Sequence, residues 1–374
     1  AVYEDNVVWV YRMIFGRENP IWRTWTAHPR QDAYWERGSY IDRLKNVDIP
    51  VFLQSGWFDG DGIGSKLAWM ELQKSGNRNI RLVLGPWGHT DQATGVQTGR
   101  DFGKEASTNL QDLYDRWLDR WLKGEKNGIE DEPRVQVYLM NARKWVKADS
   151  WPLPETAYTK LYLSSNAGAN TLGGDGRLSW TPPSGGKPYD EYTYDPADPT
   201  PAWVYRTRLE GRAGYERVTS SRRDILVFDS APFDRPVTIA GPLSAVLYAS
   251  TSAVDTDWFV TLIALPDKGL PLPLGNQFGK GCLRARFRNS VYTPELLEPG
   301  KPYGFTIDLW HTGVTIPAGW RLRVEITSAF FPYFSRNLNT GGDNETERVF
   351  KKAEQRIFHS PEYPSHILLP VIQE

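Results

Sequence analysis

The sequence predicts an α/β unit followed by an all-β sandwich of the jelly-roll kind. Two apolar runs, Val51–Gln54 and Ile80–Leu84, enclose a helical stretch, and strand, helix and strand together take about 35 residues, the size of a βαβ unit. A second helical period follows in "STNLQDLYDRWLDRWLKG". Beyond about residue 150 the helical periods vanish, and about nine β-rich runs alternate with clusters of Gly, Pro, Asp and Asn.

The 374 residues suggest two or three domains. Apolar residues make up 40% and charged residues 24%, ordinary for a globular chain. Net charge is −1, so no basic excess exists to neutralise phosphates, and a nucleic-acid partner is not expected. No run of about 18 apolar residues predicts a membrane-crossing helix, and no stretch reads as a signal peptide. The 16 Trp, 18 Tyr and 15 Phe fit a large core or an aromatic-lined cleft. The single cysteine, Cys282, forms no intrachain disulfide and is expected to be a buried small apolar residue. His28, His89, His311, His359 and His366 show no metal-ligand spacing, so neither a metal nor a cofactor is expected.

Each element has its own signal. "AVYEDNVVWVYRMIFG" carries Val8, Tyr11 and Phe15, or Val7, Val10 and Ile14, at helical spacing; a chain that opens inside an element is expected to belong to a longer one. Residues 1 to 45 are helical and aromatic. Pro50 stands at the start of the first strand, where a missing N–H is tolerated. The next helix, "SKLAWMELQKSG", has Ser65 as candidate N-cap, Leu67, Met70 and Leu72 as apolar positions, and Gly76 as its stop. In the following helix, Leu110, Leu113, Trp117 and Trp121 form a stripe expected to pack on the sheet; Thr108 with Gln111 resembles a capping box, and Gly124 ends the run. "SWPLPE" reads as a linker, and residues 335–355 as a long polar loop or mobile excursion.

Two stretches of one design stand out. "VFLQSGWFDGDG" ends its strand in Asp59, and "IRLVLGPWGHTD" ends its strand in His89. Ligands bind beyond the carboxyl ends of parallel strands, and both side chains fall at that rim. A histidine there can act as general base when a carboxylate fixes its tautomer. A lone Asp in a glycine-rich loop is usually a turn former, and a lone His usually structural; it is the pairing on one βαβ unit that favours catalysis. Trp57 and Trp87 are pocket walls or packing, Phe58 and Asp61 are further pocket candidates, and Asp61 and Asp91 read mainly as solvated loop residues. No serine in the chain has glycine at both −2 and +2, so the elbow that would carry a nucleophile has no match.

"GWFDG", "LGPWGH", "RWLDRWLKG" and "EPRVQVYLMNARKWVKADSWPLP" resemble the second half of the acyl esterases of the cocaine esterase and X-Pro dipeptidyl-peptidase (S15) group. "GCLRARFR", "PGKPYGFTIDLWHTGVTIPAGWRLRVEI" and "HSPEYPSHILLPVI" are similar to that group's jelly roll. The resemblance covers nearly the whole chain from about residue 22. It implies a serine hydrolase with an α/β-hydrolase core, an inserted helical cap and a jelly roll. Residues 1–45 would end the cap, 46–150 would complete the core, and 151–374 would form the jelly roll. Asp59 would be the triad acid and His89 its base. The family's serine elbow and oxyanion tyrosine precede Ala1, so an N-terminal portion of the same protein is the implied partner. The sheet would need that portion in order to fold. The implied substrate is a small acyl ester or amide. In the group's α-amino-acid ester hydrolases two further acids follow the triad Asp; here Asp61 and Gly62 stand there, which argues against a strong preference for free α-amino acyl groups. The alternative is a non-catalytic jelly-roll binding protein, for carbohydrate for example, or an inactive fragment.

Overall fold

The structure is a computed structural model that describes residues 16–17, 19–89, 94–97, 99–108, 110–202, 211–275 and 281–373. The helix expected near Val7–Phe15, and Asp91, lie outside the described residues. The described chain opens with short helices: α1 (Pro20–Thr26) and α2 (Ala33–Glu36), then a 3₁₀ turn, Ile41–Asn46. Asn19 starts α1 by accepting from the backbone N–H of Ile21 and Trp22, and Asp32 starts α2 through Tyr34 N–H.

Strand β1 (Val51–Gly56) runs parallel to β2 (Ile80–Gly85), with Val51 facing Ile80 and Gly56 facing Gly85. The helix between them, α3 (Gly62–Leu72), begins earlier than expected: Asp61, not Ser65, is at the N-cap, and its side chain makes no cap hydrogen bond. Its buried face also differs. Lys66, Ala68, Trp69 and Leu72 point inward, while Leu67 and Met70 are exposed. Polar partners decide this: Lys66 meets a carboxylate from the distant β half, and Trp69 Nε1 donates to Trp151 O. Gly76 closes the run at φ +74°.

A small ribbon, β3 (Val96–Gln97) with β4 (Arg100–Asp101), precedes α4 (Leu110–Leu118). A π-helical turn, Asp119–Lys123, extends α4 to Gly124. Gln111 donates to Asp115 Oδ1 at 2.8 Å, one turn along the helix. The stripe packs as expected: Trp117 and Tyr114 meet Phe52 of β1 edge-on at 5.6 and 5.3 Å. Strands β5 (Val135–Leu139) and β6 (Lys144–Ala148) complete a four-stranded sheet of order β1-β2-β5-β6.

The remaining strands form one connected twelve-stranded sheet, folded over on itself. They are β7 (Thr156–Ser164), β8 (Arg177–Ser179), β9 (Tyr189–Tyr194), β10 (Leu226–Ser230), β11 (Val237–Thr251), β12 (Asp257–Leu265), β13 (Leu272–Leu274), β14 (Gly281–Arg284), β15 (Tyr303–Ile316), β16 (Arg321–Thr327), β17 (Ala353–Phe358) and β18 (His366–Ile372). The halves pack closely: a Cβ on Gly281 of β14 would stand 2.2 Å from the Leu309 side chain of β15. One apolar core runs from Trp57 and Trp69 through to Leu369. Among the described residues no helix is long and apolar enough to cross a membrane.

Several expectations need correction. Strands β9, β13 and β17 were not expected, nor was helix α5 (Gly211–Ser221), which buries Tyr215. Cys282 is exposed, because on edge strand β14 the alternation turns Gly281 inward and Cys282 outward. The "SWPLPE" linker anchors in the core through Trp151 and Leu153. The polar stretch from 335 has no strand before Ala353, yet Arg336, Asn337, Asn339 and Asn344 are buried. Asn337 Nδ2 donates to Asp255 and Asp257, whose carboxylates also hold Arg286 and Arg284. Polar composition predicts solvent only where no buried partner exists.

Candidate active site

Strands β1 and β2 end in register on Gly56 and Gly85. A Cβ on Gly56 would lie 2.1 Å from Trp87 O, so the two strand-end loops approach at a distance only glycine permits. The loops are then zipped together: Trp57 N–H donates to Gly85 O at 2.8 Å, and Phe58 N–H to Trp87 O at 2.9 Å.

This backbone brings Asp59 and His89 together. Asp59 Oδ1 lies 3.2 Å from His89 Nδ1 and accepts from Asp61 N–H at 3.0 Å. Asp59 Oδ2 accepts from Ser55 Oγ at 3.2 Å. The Asp59 carbonyl accepts from Gly62 N–H at 3.2 Å, tying the loop to the first residue of α3. Ser55 escaped the sequence analysis; its only signal was a hydroxyl four residues before the acid. The Asp59 side chain is 14% exposed and His89 71%, so the acid is sheltered and the imidazole open. An Nδ1 turned to the carboxylate leaves Nε2 as the nitrogen that can exchange protons with a reactant.

Asp61 Oδ2 stands 3.8 Å from His89 Nδ1, its side chain 87% exposed. Asp59, Asp61 and His89 offer ligand-type atoms within 4.8 Å of one another. Asp59 Oδ1 and His89 Nδ1 already face each other, so the trio reads as a carboxylate-paired histidine. Of the pocket candidates only Asp61 is open. Trp57, Phe58 and Trp87 are buried. Trp57 Nε1 donates to Tyr138 O, Trp87 Nε1 to Ala106 O, and Phe58 packs on Phe102 at 5.5 Å. These three rings build the floor under the loops.

A second constellation with the same residue types lies in the β half. His359 Nε2 is 2.9 Å from Asp190 Oδ2 and 3.2 Å from Ser165 Oγ. Ser165 Oγ donates to Asp190 Oδ2 at 2.5 Å. One imidazole nitrogen thus faces both partners, and the hydroxyl proton already goes to the carboxylate. A triad needs the two nitrogens in separate roles, so this cluster is structural.

Residues 12–91 match the X-Pro dipeptidyl-peptidase (S15 family), and residues 127–368 match the X-Pro dipeptidyl-peptidase C-terminal non-catalytic domain. The chain belongs to this family. A curated relative, the cocaine esterase of Rhodococcus sp. (strain MB1 Bresler), is 36% identical over 92% of this chain and 60% of its own length. The fold is similar to the crystal structure of an aminopeptidase from a marine sediment archaeon (Thaumarchaeota), with TM-score 0.83 and 28% identity over 97% of this chain and 62% of that one. It is also similar to an α-amino acid ester hydrolase, with TM-score 0.78 and 28% identity over 94% of this chain and 60% of that one. These relatives are hydrolases by name, and the chain spans about 60% of their length.

Proposed function

We propose that Asp59 and His89 are the acid and the base of a serine hydrolase that cleaves a small acyl ester or amide. The serine nucleophile would be supplied by an N-terminal portion of the same protein. The supporting observation is the exposed His89 imidazole, turned by Nδ1 to a sheltered Asp59 at the carboxyl end of two parallel strands. In this reading residues 1–45 end a helical cap, 46–150 complete the hydrolase core and 151–374 form the jelly roll.

The chemistry follows from the two nitrogens. His89 Nε2 takes the hydroxyl proton as the serine oxygen attacks the acyl carbon, while Asp59 stabilises the imidazolium through Nδ1–H. The same proton then goes to the leaving oxygen or nitrogen. Water repeats the sequence on the acyl-enzyme and returns the serine. Asp61 is open to a substrate cation, but Gly62 offers no second carboxylate, which supports acyl groups without a free α-amine.

The test is made on the parent protein. A tagged fluorophosphonate should label a serine outside residues 1–374, and His89→Ala should prevent the labelling. Turnover of p-nitrophenyl acetate that survives Asp59→Asn and His89→Ala together would overturn the proposal.

A further inference from the structure

Strand β15 is irregular at one point. Opposite β11, Pro242 faces His311 and Ser244 faces Asp308, so Leu309 and Trp310 together oppose Leu243 alone. This is a β-bulge, a device that re-aims side chains and recurs beside active sites. Trp310 has φ +70°, a left-handed conformation that a bulky side chain adopts only when its surroundings impose it.

What imposes it comes from the other half of the molecule. Lys66 of α3 is buried, and its Nζ donates to Asp308 Oδ1 and Oδ2 at 2.6 and 2.8 Å and to Trp310 O at 3.3 Å. Asp308 Oδ1 also accepts Trp310 N–H at 2.6 Å. A buried ammonium is costly where an apolar side chain would pack freely, and its best-attested use is to fix a register. Lys66 lies one turn after Gly62, whose N–H holds the Asp59 carbonyl.

Just beyond the bulge, β15 reaches the same loop from its other side. His311 packs edge-on to Trp57 at 5.5 Å, and a Cβ on Gly313 would stand 2.6 Å from the Trp57 ring. Gly313 O accepts from Met140 N–H at 2.8 Å, which joins β15 to the end of β5. The segment carrying Asp59 is therefore held between Trp57 and α3, and both rest on one distorted stretch of β15.

We propose that Lys66 is a positioning residue for the Asp59–His89 pair: by clamping the Asp308–Trp310 bulge it fixes where Asp59 stands relative to His89. The inference rests on the hydrolase reading above. It assigns to the jelly roll a part in aligning the acid, without contact to substrate.

The experiment compares the parent protein with Lys66→Met, Asp308→Asn and the double variant. Turnover of p-nitrophenyl acetate is measured per folded molecule, counted by near-ultraviolet circular dichroism. Lys66→Met should lower kcat at least tenfold with KM within twofold. Asp308→Asn should lower it at least threefold, and the double variant should be no worse than Lys66→Met. A kcat within twofold of the parent in the single variants overturns the clamp, as do losses that multiply in the double variant. If Lys66→Met does not fold, Asp308→Asn decides alone, since its carboxylate is about half exposed. A parent that neither turns over nor takes a fluorophosphonate removes the hydrolase reading and the clamp together. An active parent with unaffected variants removes only the clamp.

Discussion

Among the described residues, histidine–aspartate pairs stand at the start of helix α2, at the sheet rim and in the sandwich, and the last two are wired in opposite ways. At the sheet rim His89 is 71% exposed beside an Asp59 that is 14% exposed. In the sandwich His359 and Asp190 are each 1% exposed. Burial is one difference and wiring is the other. His89 turns Nδ1 to its acid, whereas His359 presents the same nitrogen to both Asp190 and Ser165. Residue types alone do not separate the two clusters, because each sets a serine hydroxyl on its carboxylate. Access and a separate role for each nitrogen are what a histidine needs to move a proton, and the rim pair is the one arranged to offer them.

Mutation sharpens the contrast, and the largest effect is expected at the rim. In the parent protein Asp59→Asn should lower kcat by roughly 10⁴-fold, and His89→Ala by at least as much. Denaturant midpoints should stay nearly unchanged, as urea melts monitored by tryptophan fluorescence would show. The sandwich pair should answer the other way. His359→Ala removes one hydrogen-bond partner from buried Asp190, which keeps Ser165 and Ala169 N–H, and should cost about 1–3 kcal/mol of stability. Its kcat per folded molecule should stay within threefold; a collapse of kcat in the folded fraction would erase the distinction.

A third histidine gives a smaller effect, set by pH. His311 is buried among Trp57, Trp151 and the Lys66 ammonium, and desolvation pushes its pKa down to about 3. In the unfolded chain it takes a proton near pH 6.5. Between those values the unfolded state binds the extra proton, so stability falls as pH falls, by about 1.4 kcal/mol per pH unit from this group. His311→Phe should flatten that acid slope in urea melts between pH 6.5 and 4. The smallest effect is expected at Asp61, whose open carboxylate is 3.8 Å from His89. Asp61→Asn should change kcat/KM by about twofold, measured in low salt where such a pair is least screened.

Much of the site was legible because strand-end loops follow local rules. An apolar run, a glycine and an acid placed Asp59, and the same grammar placed His89. The parallel pairing of β1 and β2 and the packing of the Trp117 stripe on the sheet followed from spacing alone. What stayed hidden depends on partners far along the chain. Nothing around Lys66 announces its partner, Asp308, which stands 242 positions later. Asn337 reads as loop until two buried carboxylates receive it. Strand β9, "YDEYTY", mixes polar and aromatic residues without a strict period, and its six pairings with β17 settle its state. Trp57 and Trp87 kept two meanings in the sequence, and their indole N–H groups resolve them by donating to buried carbonyls.

The outward turn of Cys282 has a practical consequence. It is the chain's single thiol, on a sandwich edge strand three positions past residue 279 and facing Phe259 across the ladder. A maleimide dye would therefore mark one known place without any engineered cysteine. Trp258 stands one register position away, opposite Leu283, so energy transfer from it to that dye would report the parting of β12 and β14 during unfolding.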